Sequence, residues 1–260
     1  MDMESILYYL LRASLLMAIF YVFYTPLFSR NTFHAMNRFL LIVLATASLF
    51  LPLFRFRLLP VKAEVPVFEH LLAVPAAPLA YEASAGAVTP IPWVAIFMGL
   101  FLVGFLFTVL RYLIGLGRLT AIIRTSNKKV LEEGSVLCET DQAVAPFSWH
   151  KFIVLSHGEA HGDHSSIVHH EKAHVSLNHT WDRVLFDFIT CLFWFNPFSW
   201  LLRREIQSVH EYQADEWVLQ NGFDTKQYQL LLIRKSVGEQ KFALANNLRR
   251  RDLHKRIEMM

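Results

Sequence analysis

The chain has 260 residues, of which 54% are apolar and only 18% are charged, whereas soluble domains are about 45–50% apolar and about 25% charged. This composition argues against an ordinary soluble globule and against a disordered chain. The formal net charge of +3 is too small to indicate a direct nucleic-acid partner. Cys138 and Cys191 lie far apart and do not imply a disulfide framework. We therefore predict a membrane protein with a polar part attached.

Three apolar segments predict transmembrane helices at about residues 6–28, 35–54 and 91–110. A helix needs about 20 apolar residues to cross the hydrocarbon core, and the second segment reaches this length only if Ala35 and Met36 are included. The acidic N-terminal tip and the length of the first segment favour an anchor over a cleaved signal peptide. The alternative for each segment is a helix buried in a soluble core.

Basic residues predict the orientation of these spans. The connection between the first two spans holds Arg30 and Arg38. The third span is followed, before any acid, by Arg111, Arg118, Arg124, Lys128 and Lys129. Because cytoplasmic loops are enriched in Lys and Arg, we expect the N-terminus outside and residues 111–260 in the cytoplasm. The loop at residues 55–90 would then face outward, an orientation that the basic residues near its start oppose.

The polar part contains the segment His170-Glu171-Lys172-Ala173-His174. Residues four apart share a helix face, so His170 and His174 can present imidazole nitrogens to one metal ion. Glu171 can then act as general base toward a bound water. This H-E-x-x-H spacing is typical of zinc peptidases, but the chain has 12 histidines, which raises the chance of an accidental match. A third ligand is therefore needed.

Catalytic zinc usually takes three protein ligands and keeps a fourth position open. One class of zinc peptidase has a glycine and a third histidine where this chain has Leu177 and Thr180, so that class is excluded. We therefore expect a carboxylate from a later helix. Glu211 is the preferred ligand, and Asp215, four residues on, would hydrogen-bond a ligand imidazole. The competing candidates are Glu205 and Glu216.

An uncharged run from Phe188 to Leu202 resembles a fourth span but has only about 15 residues and contains Pro197, so it falls short of the usual ~20. If this run crossed the membrane, Glu211 would lie on the opposite side from His170. We therefore predict a hydrophobic helix within the catalytic domain, packed under the active-site helix or dipped into the membrane surface.

Further residues are candidates for supporting roles. His179 and Asp182, three apart, are a candidate outer pair near the metal. His210 and Tyr212 are candidate donors to the oxyanion that forms on the substrate. A short strand is predicted as an edge strand that pairs with an extended substrate backbone, and its residues are Phe152, Ile153, Val154 and Leu155.

Together these motifs resemble the BlaR/MecR-type antirepressor metallopeptidases. The resemblance rests on the three N-terminal spans and on four motifs: residues 30–38, the H-E-x-x-H at 170–174, Trp194-Phe195-Asn196-Pro197 and Glu211-x-x-x-Asp215. It implies zinc ligands at His170, His174 and Glu211 and a general base at Glu171. It also implies a gluzincin domain on the cytoplasmic side of the bacterial inner membrane that cleaves a transcriptional repressor and sometimes itself. Family members usually continue to a further span and a sensor domain, so this chain is either a fragment or a member without a sensor.

The predicted fold is a mainly α membrane protein. Residues 1–110 would form three transmembrane helices, and residues 111–260 a cytoplasmic α+β gluzincin-type zinc peptidase domain with a small sheet. The expected partners are Zn²⁺, a peptide or protein substrate and membrane lipid, and the sequence leaves open whether the chain forms a homodimer. Two alternatives remain: a membrane protease of the CAAX-processing or heat-shock quality-control type, and a non-catalytic signalling receptor with a vestigial zinc site.

Overall fold

The computed structural model describes residues 3–29, 31–54, 93–131, 134–157, 165–238 and 253–260. This part of the chain is mostly helical and contains one small mixed sheet. The helices are α1 (Met3–Phe28), α2 (His34–Phe50, followed by a 3-10 turn at Leu51–Leu53), α3 (Trp93–Thr125), α4 (Ser165–Ser176), α5 (His179–Leu192), α6 (Pro197–Gln220), α7 (Thr225–Gly238) and α8 (253–259). The strands are β1 (Asn127–Val130), β2 (Val136–Thr140), β3 (Phe147–Trp149) and β4 (Phe152–Ser156).

Within the described residues, three helices are long and apolar enough to cross a membrane, namely Met3–Phe28, His34–Leu53 and Trp93–Thr125. They cover residues 6–28, 35–53 and 93–110 of the three predicted spans, and their outward surfaces carry many exposed large apolar side chains. The predicted outward loop at residues 55–90 lies outside the described residues.

Helix α3 is longer than the predicted third span, which ended at residue 110. It continues to Thr125, because arginine is a good helix former and the segment after Arg111 contains no proline. The Oγ of Ser126 donates to Ile122 O at 2.6 Å, and β1 starts at the next residue. A single helix therefore runs from the apolar segment directly to the sheet.

The sheet has the strand order β1-β2-β4-β3, with β2 and β4 parallel and the other two pairs antiparallel. The prediction that Phe152–Leu155 forms an edge strand is therefore wrong, because β4 is an inner strand. Three successive residues of β4 are buried, as expected when both faces are covered. The edge strands are β1 and β3, and β3 folds back on β4 through a tight turn at His150 and Lys151.

Helices α5 and α6 share one apolar core with α1 and α2. The buried members of this core are Leu10, Ala13, Met17, Tyr24, Leu41, Ala45, Leu49, Phe186, Ile189, Phe193, Leu202, Ile206 and Val209. The uncharged run at 188–202 does not form one helix: α5 ends at Leu192, and Asn196 caps α6 by accepting from Phe198 N at 3.0 Å. The run forms a hairpin against α1, with Asn196 Nδ2 3.4 Å from Ser14 O.

Helix α3 contacts the same hairpin through Trp194. Its indole Nε1 donates to Phe101 O at 3.2 Å, and its ring lies so close to Gly104 that a Cβ there would come within 2.1 Å of a ring carbon. Gly104 thus forms a notch for the indole. The third apolar helix is joined at this point to the hairpin of α5 and α6.

Candidate metal centre

The H-E-x-x-H segment lies on α4, where the predicted helical spacing places its two histidines on one face. His170 and His174 are both buried, and their Nε2 atoms are 3.3 Å apart. Two imidazole nitrogens at this distance with their edges converging are arranged as a pair of ligands for one ion.

Glu211 completes the group from α6, which packs beside α4. Its carboxylate oxygens lie 3.4 Å from His170 Nε2 and 3.6 Å from His174 Nε2. Zinc–ligand bonds of about 2.0–2.1 Å at a tetrahedral angle place ligand atoms roughly 3.3–3.5 Å apart, so the three atoms match three corners of such a tetrahedron. Of the predicted carboxylates within the described residues, only Glu211 belongs to such a cluster. Glu216 is exposed and accepts a hydrogen bond from Gln220.

Glu171 follows His170 on α4 and is 7% exposed. It lines a cavity of about 230 Å³ together with His170, His174 and Glu211. Pro146 and, from edge strand β3, Phe147 and Ser148 line the same cavity. The acid predicted as general base thus faces the same space as the candidate ligands.

The ring of His174 is oriented by His179 and Gln213. His179 Nε2 lies 3.1 Å from Gln213 Oε1 and therefore carries a proton, which leaves His179 Nδ1 as an acceptor. His174 Nδ1 lies 2.8 Å from that nitrogen and donates to it. The lone pair of His174 is consequently on Nε2, directed toward the candidate ion. His179 was predicted in this vicinity from sequence, and Gln213 was not.

A second chain of hydrogen bonds orients His170. Tyr228 donates from its hydroxyl to Asp215 Oδ1 at 2.8 Å, so the Tyr228 hydroxyl oxygen accepts from His170 Nδ1 at 2.9 Å. Asp215 is held by Arg256, whose Nε and Nη2 donate to its two oxygens at 2.8 and 2.6 Å. Both imidazoles therefore carry their proton on Nδ1 and direct Nε2 at the same point.

Asp182 lies one contact further from the candidate ion. It accepts hydrogen bonds from Arg38 Nε of α2 at 2.6 Å and from His210 Nε2 at 2.9 Å. The ring of His210 stacks on that of His179, with centroids 4.0 Å apart. Asp182 therefore acts on the site through the two histidines and does not touch the candidate ligands.

The two predicted oxyanion donors lie elsewhere. His210 is 1% exposed, with Nε2 committed to Asp182, and it does not line the cavity. Tyr212 packs against His34 of α2, with ring centroids 5.3 Å apart, and lines a neighbouring cavity. The structure does not bring either side chain to the space beside Glu171.

The electrostatics of the centre keep Glu211 as a carboxylate and shift the pKa values of the two histidines in opposite directions. Burial would raise the pKa of Glu211, but the charge of Arg256 and the adjacent imidazoles hold it well below its usual range. Burial would lower the pKa of His170, but hydrogen bonds with Asp215 and Glu211 raise it to about 9. Burial, with the charges of His170 and Arg183, lowers the pKa of His174 to about 3.

Tyr228, Arg256 and Gln213 could not be identified from sequence alone. Tyr228 and Arg256 follow the H-E-x-x-H segment by more than 50 residues and belong to no spacing pattern. Gln213 lies between Glu211 and Asp215 in sequence, and its contact with His179 depends on the packing of α6 against α5. These contacts arise from the packing of α6, α7 and α8 around α4.

Comparison with known proteins gives one family. A family model described as BlaR1 peptidase M56 matches residues 9–260, which include α1 from residue 9 onward, all of α2 and α3, and every side chain of the centre described above. No curated protein gives a significant match to the chain.

Proposed function

Because the chain belongs to the BlaR1 peptidase M56 family, we propose that it is a membrane zinc endopeptidase whose ion is held by His170, His174 and Glu211. Membership in this family implies a membrane metallopeptidase. The single observation that supports the choice of ion and ligands is the set of three ligand-atom distances, 3.3, 3.4 and 3.6 Å. Two imidazoles and one carboxylate are a donor set of catalytic zinc.

When bound, Zn²⁺ would lower the pKa of a water in its open position and polarise a peptide carbonyl. Glu171 takes a proton from the attacking water and returns it to the leaving amide nitrogen. Its position next to His170 and its exposure to the cavity fit this role. The Nδ1 contacts of His170 and His174 hold both rings with Nε2 directed toward the ion, so the residues around the site orient its ligands.

The substrate is an extended peptide that adds to edge strand β3. Phe147 and Ser148 line the same cavity as Glu171, and among the described residues β3 has a neighbour on one side only. An added strand would form main-chain hydrogen bonds with β3. The sequence suggested Phe152–Leu155 as the strand that pairs with the substrate backbone, and we assign this pairing to Phe147–Trp149 instead.

The catalytic part faces the cytoplasm of the bacterial inner membrane in this proposal. Arg38 near the start of α2 binds Asp182, so the centre lies at the end of α1 and α2 where the two helices are connected. Arg30 lies in that connection and Arg38 in the second turn of α2, and the enrichment of basic residues on the cytoplasmic side assigns this end of the helices to the inside. The substrate would then be a cytoplasmic repressor-like protein, with self-cleavage as a second reaction of a regulatory protease, as the resemblance to BlaR/MecR-type proteins suggests.

The test uses the full chain in lipid nanodiscs. Glu171→Gln should keep one zinc ion per chain, measured by mass spectrometry of metals, and lose chelator-sensitive cleavage of casein and of the chain itself. Glu211→Gln should lose zinc, whereas Glu216→Gln, on the exposed side of the same helix, should keep both zinc and activity. Cleavage by zinc-loaded Glu171→Gln would contradict the base assignment, and a wild-type chain without zinc would contradict the metal assignment.

A further inference from the structure

We propose that Arg183 binds the carbonyl oxygen of the scissile peptide bond as that oxygen becomes negatively charged, an inference that rests on the peptidase function proposed above. Arg183 lines the metal cavity together with His174, Glu171 and Glu211. It was not among the residues singled out from sequence, since nothing in its spacing distinguishes it from the other arginines.

Arg183 lies on the face of α5 that is turned toward the candidate metal centre. His179 and Arg183 are four residues apart and share one face of the helix. His179 holds His174 Nδ1 at 2.8 Å, so this face is turned toward the candidate ligands. Arg183 is one turn further along the same face and reaches the cavity beyond the His174 ring.

One hydrogen-bond donor of the Arg183 guanidinium is buried and unused. Its Nε is buried and has no hydrogen-bond partner among the described residues. The two acids nearest in sequence are committed elsewhere: Asp182 to Arg38 and His210, and Asp187 to Arg203. A buried N–H without a partner is unfavourable, and an oxygen of a bound peptide in the cavity would satisfy it.

The other candidate donors are occupied. Arg256 also lines the cavity, but its three nitrogens bind Asp215 and Glu211. The Tyr228 hydroxyl donates its proton to Asp215. Arg183 is therefore the cationic side chain of the cavity with an unused donor, and a fixed positive donor in a partly enclosed site acts most strongly on charge that develops during the reaction.

The cavity also places Arg183 where a substrate would pass. Phe147 and Ser148 of β3 line the same cavity as Arg183 and Glu171, so a peptide added to β3 would enter the space that the guanidinium also borders. Its carbonyl would then contact the metal centre and the guanidinium together, with Glu171 on the same cavity to transfer the proton. Arg183 would thus bind the reacting atom directly and be a catalytic residue of this site.

The test measures binding of an N-blocked dipeptide phosphonate, a tetrahedral anion that mimics the reacting carbonyl, to zinc-loaded full chain in nanodiscs. Removal of one oxyanion donor lowers reaction rates by about 100- to 1,000-fold, so Arg183→Met should weaken phosphonate binding by roughly 100-fold while zinc content stays at one per chain. Arg183→Lys should recover part of the loss, because it keeps the charge without the fork of donors. Arg111→Met removes the same charge outside the metal cavity and should bind phosphonate as the wild type does.

Unchanged phosphonate affinity in zinc-loaded Arg183→Met would overturn the inference, as would a zinc-loaded wild type that does not bind the phosphonate. If Arg183→Met fails to fold, Arg183→Gln gives the same comparison with a polar side chain, and equal affinity there overturns the inference as well. A wild type that binds no zinc would instead overturn the proposed function, so the two failures are distinguishable.

Discussion

Arg38 of α2 donates from Nε to Oδ2 of Asp182 at 2.6 Å, although 144 residues separate the two in sequence. The same oxygen accepts from His210, whose ring stacks on His179, and His179 holds the candidate ligand His174. A membrane helix is thereby connected to the orientation of one ligand imidazole through a short series of contacts. Movement of α2 would reach the metal centre along this series.

We expect Arg38→Met to weaken zinc binding, because Asp182 would lose the cation that fixes it and would hold His210 less firmly. Loss of a residue in direct contact with a ligand costs about 10- to 100-fold in metal affinity, and Arg38 acts through further residues, so the expected loss is about tenfold or less. Competition with a chelator of known zinc affinity measures it. Arg12→Met, which removes an exposed arginine of α1, is the control and should leave the affinity unchanged.

His179→Phe should lower zinc affinity by about 10- to 100-fold, because His174 Nδ1 would lose its acceptor and the ring would no longer be held with Nε2 toward the ion. The same chelator competition applies. His169→Phe is the matched control, since His169 lies on α4 but binds Ser165 O and packs near Trp217. Equal losses in the two variants would mean that His179 acts only by filling space.

The parts of the centre that the sequence predicts are those set by helical spacing. His170, Glu171 and His174 share an α-helical segment, so their relation depends on the 3.6-residue period alone. Glu211 and Asp215 obey the same period on a second helix, and the requirement for a third ligand selected them. The three apolar helices were predictable for a similar reason, because length and hydropathy are local properties.

The parts that could not be predicted depend on tertiary packing. The sequence predicted an edge strand at Phe152–Leu155 and no strand at Phe147–Trp149, which has only three residues. In the turn that follows, His150 adopts φ of 53°, a conformation uncommon outside glycine, and its backbone N–H donates to Thr180 Oγ1 at 2.9 Å. The turn at His150 is therefore stabilised by a residue 30 positions away in sequence. No local sequence pattern predicts this contact.

Arg256→Met should destabilise the protein, because it leaves the buried carboxylate of Asp215 without its cation. Breaking one partner of a buried pair costs about 3–5 kcal/mol, and Asp215 has only 2% of its side chain exposed. Thermal unfolding of the metal-free chain in detergent, followed by tryptophan fluorescence, measures the change. Lys255→Met, at the adjacent position, is the control, and a similar decrease in both variants would contradict a specific role for the pair.

Zinc affinity should rise with pH between about 7 and 9. The raised pKa of His170, about 9 in the metal-free chain, means that its imidazole is protonated at pH 7. Zinc requires the neutral form, so binding displaces a proton and the apparent affinity increases about tenfold per pH unit until pH passes the pKa, above which it levels off.

Calorimetry in buffers of different ionisation enthalpy counts the proton released at pH 7. Asp215→Asn removes one group that raises this pKa, so the variant should release less than the wild type. An affinity independent of pH across this range would contradict the assignment.

Gly104→Ala should destabilise the contact between α3 and the α5–α6 hairpin. Alanine normally stabilises a helix relative to glycine by about 1 kcal/mol, but here its Cβ would lie 2.1 Å from the Trp194 ring, so the indole must move and its bond to Phe101 O must weaken. Gly99→Ala is the matched control on the same helix, because nothing lies within 4 Å of its added Cβ. We expect a lower melting temperature for Gly104→Ala and an equal or higher one for Gly99→Ala. If Trp194→Ala removes the difference between the two alanine variants, the indole is its cause, and a difference that persists in that background would assign it to another contact of α3.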